Sequence, residues 1–233
     1  HDALPISGSY TIKVTYKYLW IYSANSKMGI YVTTATNSAS LLIDYTNPSI
    51  AMVRSGTSTS VSSGSVVNSA VKVTASDTNF SALSYKIPGA SYYSSTAATS
   101  YTSGTANGWY YCYATDALGN KSDEVSFYVD TVAPTGALYA NGSAIASGSY
   151  VRSSFSYVAS DSGSGVANVY YKAPKSSGFV AYSSGSIIPS DSGDGLYQFY
   201  SVDKAGNASA TMSVFLETAA PTVKLFRNGS LAY

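Results

Sequence analysis

Chemistry in this chain would have to come from carboxylates and aromatic rings. Apart from Asp2, its acidic residues are Asp44, Asp77, Asp116, Asp123, Glu124, Asp130, Asp161, Asp191, Asp194, Asp203 and Glu217. Two carboxylates suffice for glycosidic hydrolysis, and clustered oxygens suit a hard cation such as calcium. Imidazole and thiol chemistry has little to draw on. The single histidine is His1 and the single cysteine is Cys112, so neither a Ser-His-Asp site nor an internal disulfide can be assembled.

The carboxylates recur rather than concentrate. Ala75-Ser76-Asp77 is answered by Ala159-Ser160-Asp161, Asp116 and Asp203 each open an Asp-x-x-Gly-Asn run, and Asp130 and Glu217 each open an Asp/Glu-Thr-x-Ala-Pro run. An active site normally occurs once, so this recurrence argues against catalysis, and no catalytic residue is assigned. Asp77, Asp116, Asp130, Asp161, Asp203 and Glu217 are the candidate calcium ligands. The competing reading, and the stronger one, is that these side chains cap turns through bonds to nearby backbone. If calcium binds, Asp130 is expected beside Asp116 and Asp161, with Glu217 in the same role a repeat further on. A second candidate is the aromatic strand of residues 108–114, where Trp109, Tyr111 and Tyr113 alternate on one face and could stack on a sugar or anchor a protein partner. Tyr92, Tyr93 and Tyr182 are further surface aromatics. The competing reading is cross-strand pairing that stabilises the sheet.

These residues sit on an internal repeat. Pro48, Pro134 and Pro221 lie 86 and 87 residues apart, each followed eight positions later by a glycine: Gly56, Gly142 and Gly229. Gly108-Trp109-Tyr110 matches Gly195-Leu196-Tyr197, also 87 residues on. The boundaries that follow are 8–44 for the C-terminal portion of a preceding or degenerate repeat, 45–130 and 131–217 for two whole repeats, and 218–233 for the first strand of a further one. Residues 1–7, HDALPIS, fit no repeat and read as a non-native, adapter-like tail; the chain is expected to be a fragment of something longer.

Each repeat is short and carries alternating segments separated by turn residues, as an antiparallel β-sandwich does. In the second, strands are expected near 136–140, 150–160, 166–173, 178–182, 196–203 and 211–217. Alternation puts Tyr110, Cys112 and Ala114, with Tyr197 and Phe199, on the core face. Cys112 is then an inert buried thiol opposite Val71 and Val73. Tyr110 and Tyr197 suit a tyrosine corner, and Gly119-Asn120 and Gly206-Asn207 suit turns with positive φ. Composition agrees: 45% of the 233 residues are apolar, 11% are charged and 23 are Tyr. With 13 basic against 12 acidic residues no strong field attracts nucleic acid. The most apolar stretch, 11–22, is interrupted by Lys13 and Lys17 and is too short for a spanning helix.

The Gly-x-Tyr runs at 108–110 and 195–197, the Asp-x-x-Gly-Asn runs at 116–120 and 203–207 and the Asp/Glu-Thr-x-Ala-Pro runs at 130–134 and 217–221 resemble those of bacterial immunoglobulin-like repeat domains. The resemblance covers roughly residues 40–233. It implies an all-β fold of tandem immunoglobulin-like sandwiches of about 86–87 residues. It also implies a non-enzymatic extracellular role, secreted or attached to the cell surface: a stalk, spacer or adhesion segment, or an accessory carbohydrate- or protein-binding module of a secreted polysaccharide-degrading enzyme. Partners would be a glycan or a host or cell-surface protein. The resemblance also implies that calcium could stiffen the junctions between units.

Overall fold

The computed structural model describes residues 8–24, 27–224, 226–227 and 230–231. The tail 1–7 and the anchor Gly229 lie outside the described residues. All regular structure among those described is β, and no helix there is long and apolar enough to cross a membrane.

The chain opens with a hairpin of β1 (Gly8–Ala24) and β2 (Lys27–Ile43), 17 residues each, in continuous register from Gly8↔Ile43 to Ala24↔Lys27. The strands that follow are β3 (Ser49–Arg54), β4 (Ser65–Val67), β5 (Val71–Ser76), β6 (Phe80–Lys86), β7 (Ser94–Thr96), β8 (Ser100–Thr102), β9 (Gly108–Asp116) and β10 (Val125–Val129). They form a three-stranded sheet, β3-β5-β8, and a five-stranded sheet, β4-β10-β9-β6-β7. Met52, Val71, Val73 and Ala75 from the first sheet and Leu83, Tyr110, Cys112, Ala114, Phe127 and Val129 from the second share one buried core.

A second sandwich repeats the plan. Its strands are β11 (Thr135–Ala140), β12 (Ser143–Ile145), β13 (Ser149–Val151), β14 (Phe155–Ser160), β15 (Val166–Lys172), β16 (Val180–Tyr182), β17 (Ile187–Ile188), β18 (Gly195–Asp203) and β19 (Met212–Leu216). The sheets are β12-β11-β14-β17 and β13-β19-β18-β15-β16, around a core of Leu138, Phe155, Tyr157, Val169, Tyr197, Phe199, Val214 and Leu216. The last described elements, β20 (Phe226–Arg227) and β21 (Ser230–Leu231), pair as a short hairpin rather than as one strand. Their register, Phe226↔Leu231, is that of Tyr139↔Ala144 moved 87 residues along.

Strand faces follow the expected alternation. In β9 and β18 every second residue from Tyr110 and Tyr197 is buried. Burial pushes the Cys112 thiol up to about 12, with the Glu124 charge adding to the effect. The stretch 150–160 is not one strand. β13 pairs in parallel with β19, whereas β14 pairs with β11 in the opposite sheet, and residues 152–154 carry the chain across. A strand cannot keep one ladder while changing sheets, so it must break there.

Both tyrosine corners form. The Tyr110 hydroxyl donates to the Ala106 carbonyl at 3.2 Å, and that of Tyr197 to the Ser192 and Gly193 carbonyls at 3.1 and 3.0 Å. The glycine that precedes each corner has φ of +132° (Gly108) or +138° (Gly195), and a Cβ there would lie 2.7 Å from the Cβ of Pro88 or Pro174. In the Gly-Asn turns only Gly119 and Gly206 have positive φ. The asparagines serve through their amides.

Candidate functional site

The Asp-x-x-Gly-Asn turn is built around its own carboxylate. Asp116 Oδ1 accepts the backbone N–H of Leu118 and Asn120 at 2.9 and 2.8 Å, and Oδ2 accepts the Asn120 amide at 2.6 Å. Asp203 does the same with Gly206, Asn207 and the Asn207 amide. The second amide hydrogen reaches outward: Asn120 donates to the Asp44 carbonyl at 2.9 Å and Asn207 to the Asp130 carbonyl at 2.8 Å. Each turn therefore clamps the segment that enters its own sandwich.

That clamp sets which acids meet. Oxygens of Asp44, Asp77 and Asp116 lie within 4.8 Å of one another, and those of Asp130, Asp161 and Asp203 do likewise. Asp130 thus lies with Asp161, and its other neighbour is Asp203, not Asp116. Asp116 belongs with Asp77 and with Asp44, a residue absent from the ligand set expected from sequence. The linker acid folds forward onto the sandwich it introduces, so both groups form at the entry pole. Spacing held the clue, since Asp44 precedes Asp130 by the repeat length. Glu217 is exposed and belongs to neither group among the described residues; its N–H donates to the Val151 carbonyl as that of Asp130 donates to Val67.

The two groups differ in detail. Asp44 accepts the Asn79 amide at 2.7 Å, and Asp77 accepts the Asn79 N–H. Asp130 instead accepts the Ser164 N–H at 2.6 Å, an approach that needs glycine at 163, because a Cβ there would stand 2.4 Å from Asp130 Oδ2. Asp161 Oδ2 accepts the N–H of Gly163 and Gly165, while its Oδ1 is buried without a hydrogen-bond partner. Asp130 is fully buried. Burial alone would raise its pKa, yet the bonds from Ser164 and Val132 outweigh it and hold the carboxyl below the ordinary range. Asp116 is held low in the same way, through Asn120 and the N–H groups of its turn.

The aromatic strand is largely engaged by its own protein. Trp109, 41% exposed, meets Tyr128 edge-on at 5.5 Å. Lys86 Nζ lies 4.6 Å from the Tyr111 ring centre, and Lys121 Nζ lies 3.7 Å from that of Tyr113. Tyr93 packs against Tyr113 at 5.1 Å and donates its hydroxyl to Glu124. Tyr92 is exposed, whereas Tyr182 is only half-exposed, packing on Phe199 at 5.3 Å. Tyr111 and Tyr113 are thus each covered by a lysine, which leaves little ring face on them for a ligand, while Trp109 packs across the strands against Tyr128.

No family model and no curated protein matches the chain. Among solved structures it is similar to the fibronectin(III)-like modules of Clostridium thermocellum CbhA, at 17% identity over 70% of this chain and 92% of that one, with a TM-score of 0.35.

Proposed function

We propose that the chain is a non-enzymatic extracellular run of immunoglobulin-like units, 45–130 and 131–217, that acts as a spacer or adhesion segment of a larger bacterial surface or secreted protein. Residues 8–44 would be the last two strands of another unit: Gly8↔Ile43 has the register of Gly108↔Val129 and Gly195↔Leu216, and an acid follows each time. Residues 218–233 would open a further unit with β20 and β21. The same arrangement would serve as an accessory module beside a secreted polysaccharide-degrading domain.

The observation that carries the spacer reading is the junction at Asp130. Its carboxylate and its carbonyl are both bonded by the second sandwich, while the adjoining Thr131 is held by Asn107 of the first, through its N–H and hydroxyl at 3.0 Å each. Pro134, four residues beyond the acid, restricts the backbone further. A linker tied at both sides bends little, which is what a spacer requires. Residual dipolar couplings test this: both sandwiches should share one alignment tensor in the 233-residue protein, and Asn207→Ala should split it in two. Two unrelated tensors in the parent protein would refute a stiff spacer.

Calcium at the second acidic group is a further reading, favoured by the orphaned Asp161 Oδ1. None of Asp130, Asp161 and Asp203 forms a salt bridge with Lys or Arg among the described residues. Three oxygens at most 4.8 Å apart have a common centre within about 2.8 Å of each, slightly beyond the usual Ca–O range. Calcium should therefore raise the melting temperature of the second sandwich relative to chelator, and Asp161→Asn should remove the rise. Equal melting curves would leave turn capping as the sole role of these acids.

A further inference from the structure

The outer face of the β12-β11-β14-β17 sheet carries a cleft of about 550 Å³ lined by Tyr139, Asn141, Ser154, Ser156, Val158 and Ile187, among others. Pairing sets Ala144, Tyr139, Ser156 and Ile187 in one cross-strand row, so the tyrosine stands between two small side chains. Its ring has no aromatic or cationic partner among the described residues, unlike Tyr111 and Tyr113. The Tyr139 hydroxyl, the Asn141 amide and the Ser156 hydroxyl make no hydrogen bond within the chain among those residues, while Ser154 Oγ accepts the Ser190 N–H at 3.2 Å. Ile187 is 69% exposed. The corresponding row of the first sandwich, Val53, Lys72 and Thr102, has a cation and no ring.

We propose that this cleft binds a neutral glycan chain, one sugar ring stacking on Tyr139 with its hydroxyls met by Asn141 and Ser156. The volume falls within the range of small-ligand sites. The chemistry is that of a sugar: one aromatic ring, apolar flanks in Val158 and Ile187, and neutral groups that can both donate and accept. No charged side chain lines it, so an anionic polysaccharide would find no counter-charge. An added peptide strand is disfavoured because β17, at this edge, offers only two residues of ladder.

The proposal goes beyond the spacer reading and does not depend on it. Calorimetric titration of the 233-residue protein with neutral hexasaccharides of cellulose, xylan, mannan and chitin type should show saturable binding to at least one. Tyr139→Ala should weaken that binding at least tenfold, Ser156→Arg should block it with Tyr139 intact, and Trp109→Ala should leave it within twofold. Circular dichroism melts would show that each variant is folded. Absence of binding to all four at millimolar concentration, or affinity unchanged in Tyr139→Ala, would overturn the proposal. So would a concentration-dependent dimer that Ile187→Lys returns to monomer in sedimentation, since the face would then belong to a second copy of the chain.

Discussion

Gly136 has no room for a Cβ: one built there would lie 2.2 Å from the Tyr157 hydroxyl. The first sandwich holds Ile50 and Val73 at the matching positions of β3 and β5, so bulk removed from one strand is restored on its neighbour. Tyr157 fills the space, stacks on Phe199 at 5.2 Å and places its hydroxyl 3.2 Å from Ser201 Oγ. Gly136→Ile should destabilise the second sandwich by about 2–3 kcal/mol through overpacking, and Tyr157→Val by about 3 kcal/mol through the cavity and the unpaired Ser201. The double variant should recover some of the loss, giving a favourable coupling of about 1 kcal/mol or more in urea unfolding. Strict additivity would show that the two positions do not share one volume. Cys112 offers a second residue-scale check. Its thiol titrates higher in the folded state than in the unfolded chain, so its contribution to stability is full below about pH 9 and is lost as pH rises toward 12. Native labelling by a thiol reagent at about pH 8 should proceed only as fast as the sandwich opens, and labelling at the unfolded rate would contradict its burial.

At the scale of the element, the turns after β9 and β18 link strand pairing to the junction. Asn207 satisfies Asp203 Oδ2 and the Asp130 carbonyl with one amide group. Asn207→Ala leaves both acceptors short of a partner and should cost about 1–3 kcal/mol, lowering the melting temperature of the second sandwich by roughly 4–8 °C per kcal/mol. Asn207→Asp should be worse, because it sets a fourth carboxylate beside Asp203, Asp130 and Asp161. An unchanged melt for both variants would mean that the clamp contributes nothing to folding. The glycines before the tyrosine corners belong to the same scale. Gly108→Ala meets both a positive φ and the Pro88 ring, and should cost about 1–3 kcal/mol by strain alone.

Across the whole molecule, stability should depend on acid pH through the junction carboxylates. Asp116 and Asp130 are held below their ordinary value of 3.8 when folded. Their contribution is present above that value and is lost as pH falls through the lower folded one. Urea midpoints should be nearly level from neutrality to about pH 4.5 and fall steeply below, with the fall shallower in Asp130→Asn. A midpoint independent of pH down to about 3 would show that these carboxylates are not preferentially stabilised as anions in the fold.

The all-β class, the alternation in β9 and β18 that buries Cys112 and Phe199, and the tyrosine corners were all legible from the residues alone. These depend on residues adjacent along one strand or a few positions apart, where side-chain period and turn chemistry act locally. Tertiary structure alone decided which distant residues meet. Asp130 joins Asp203 rather than Asp116 because the Asn207 turn draws the linker onto the sandwich ahead of it. The run 150–160 divides because its two halves serve opposite sheets. Tyr111 and Tyr113 lose their free ring faces to Lys86 and Lys121, while Tyr139 keeps its own because sheet order sets Ala144 and Ser156 beside it. Strand order and loop closure arise from contacts between residues tens of positions apart, and the local pattern of a single strand does not encode them.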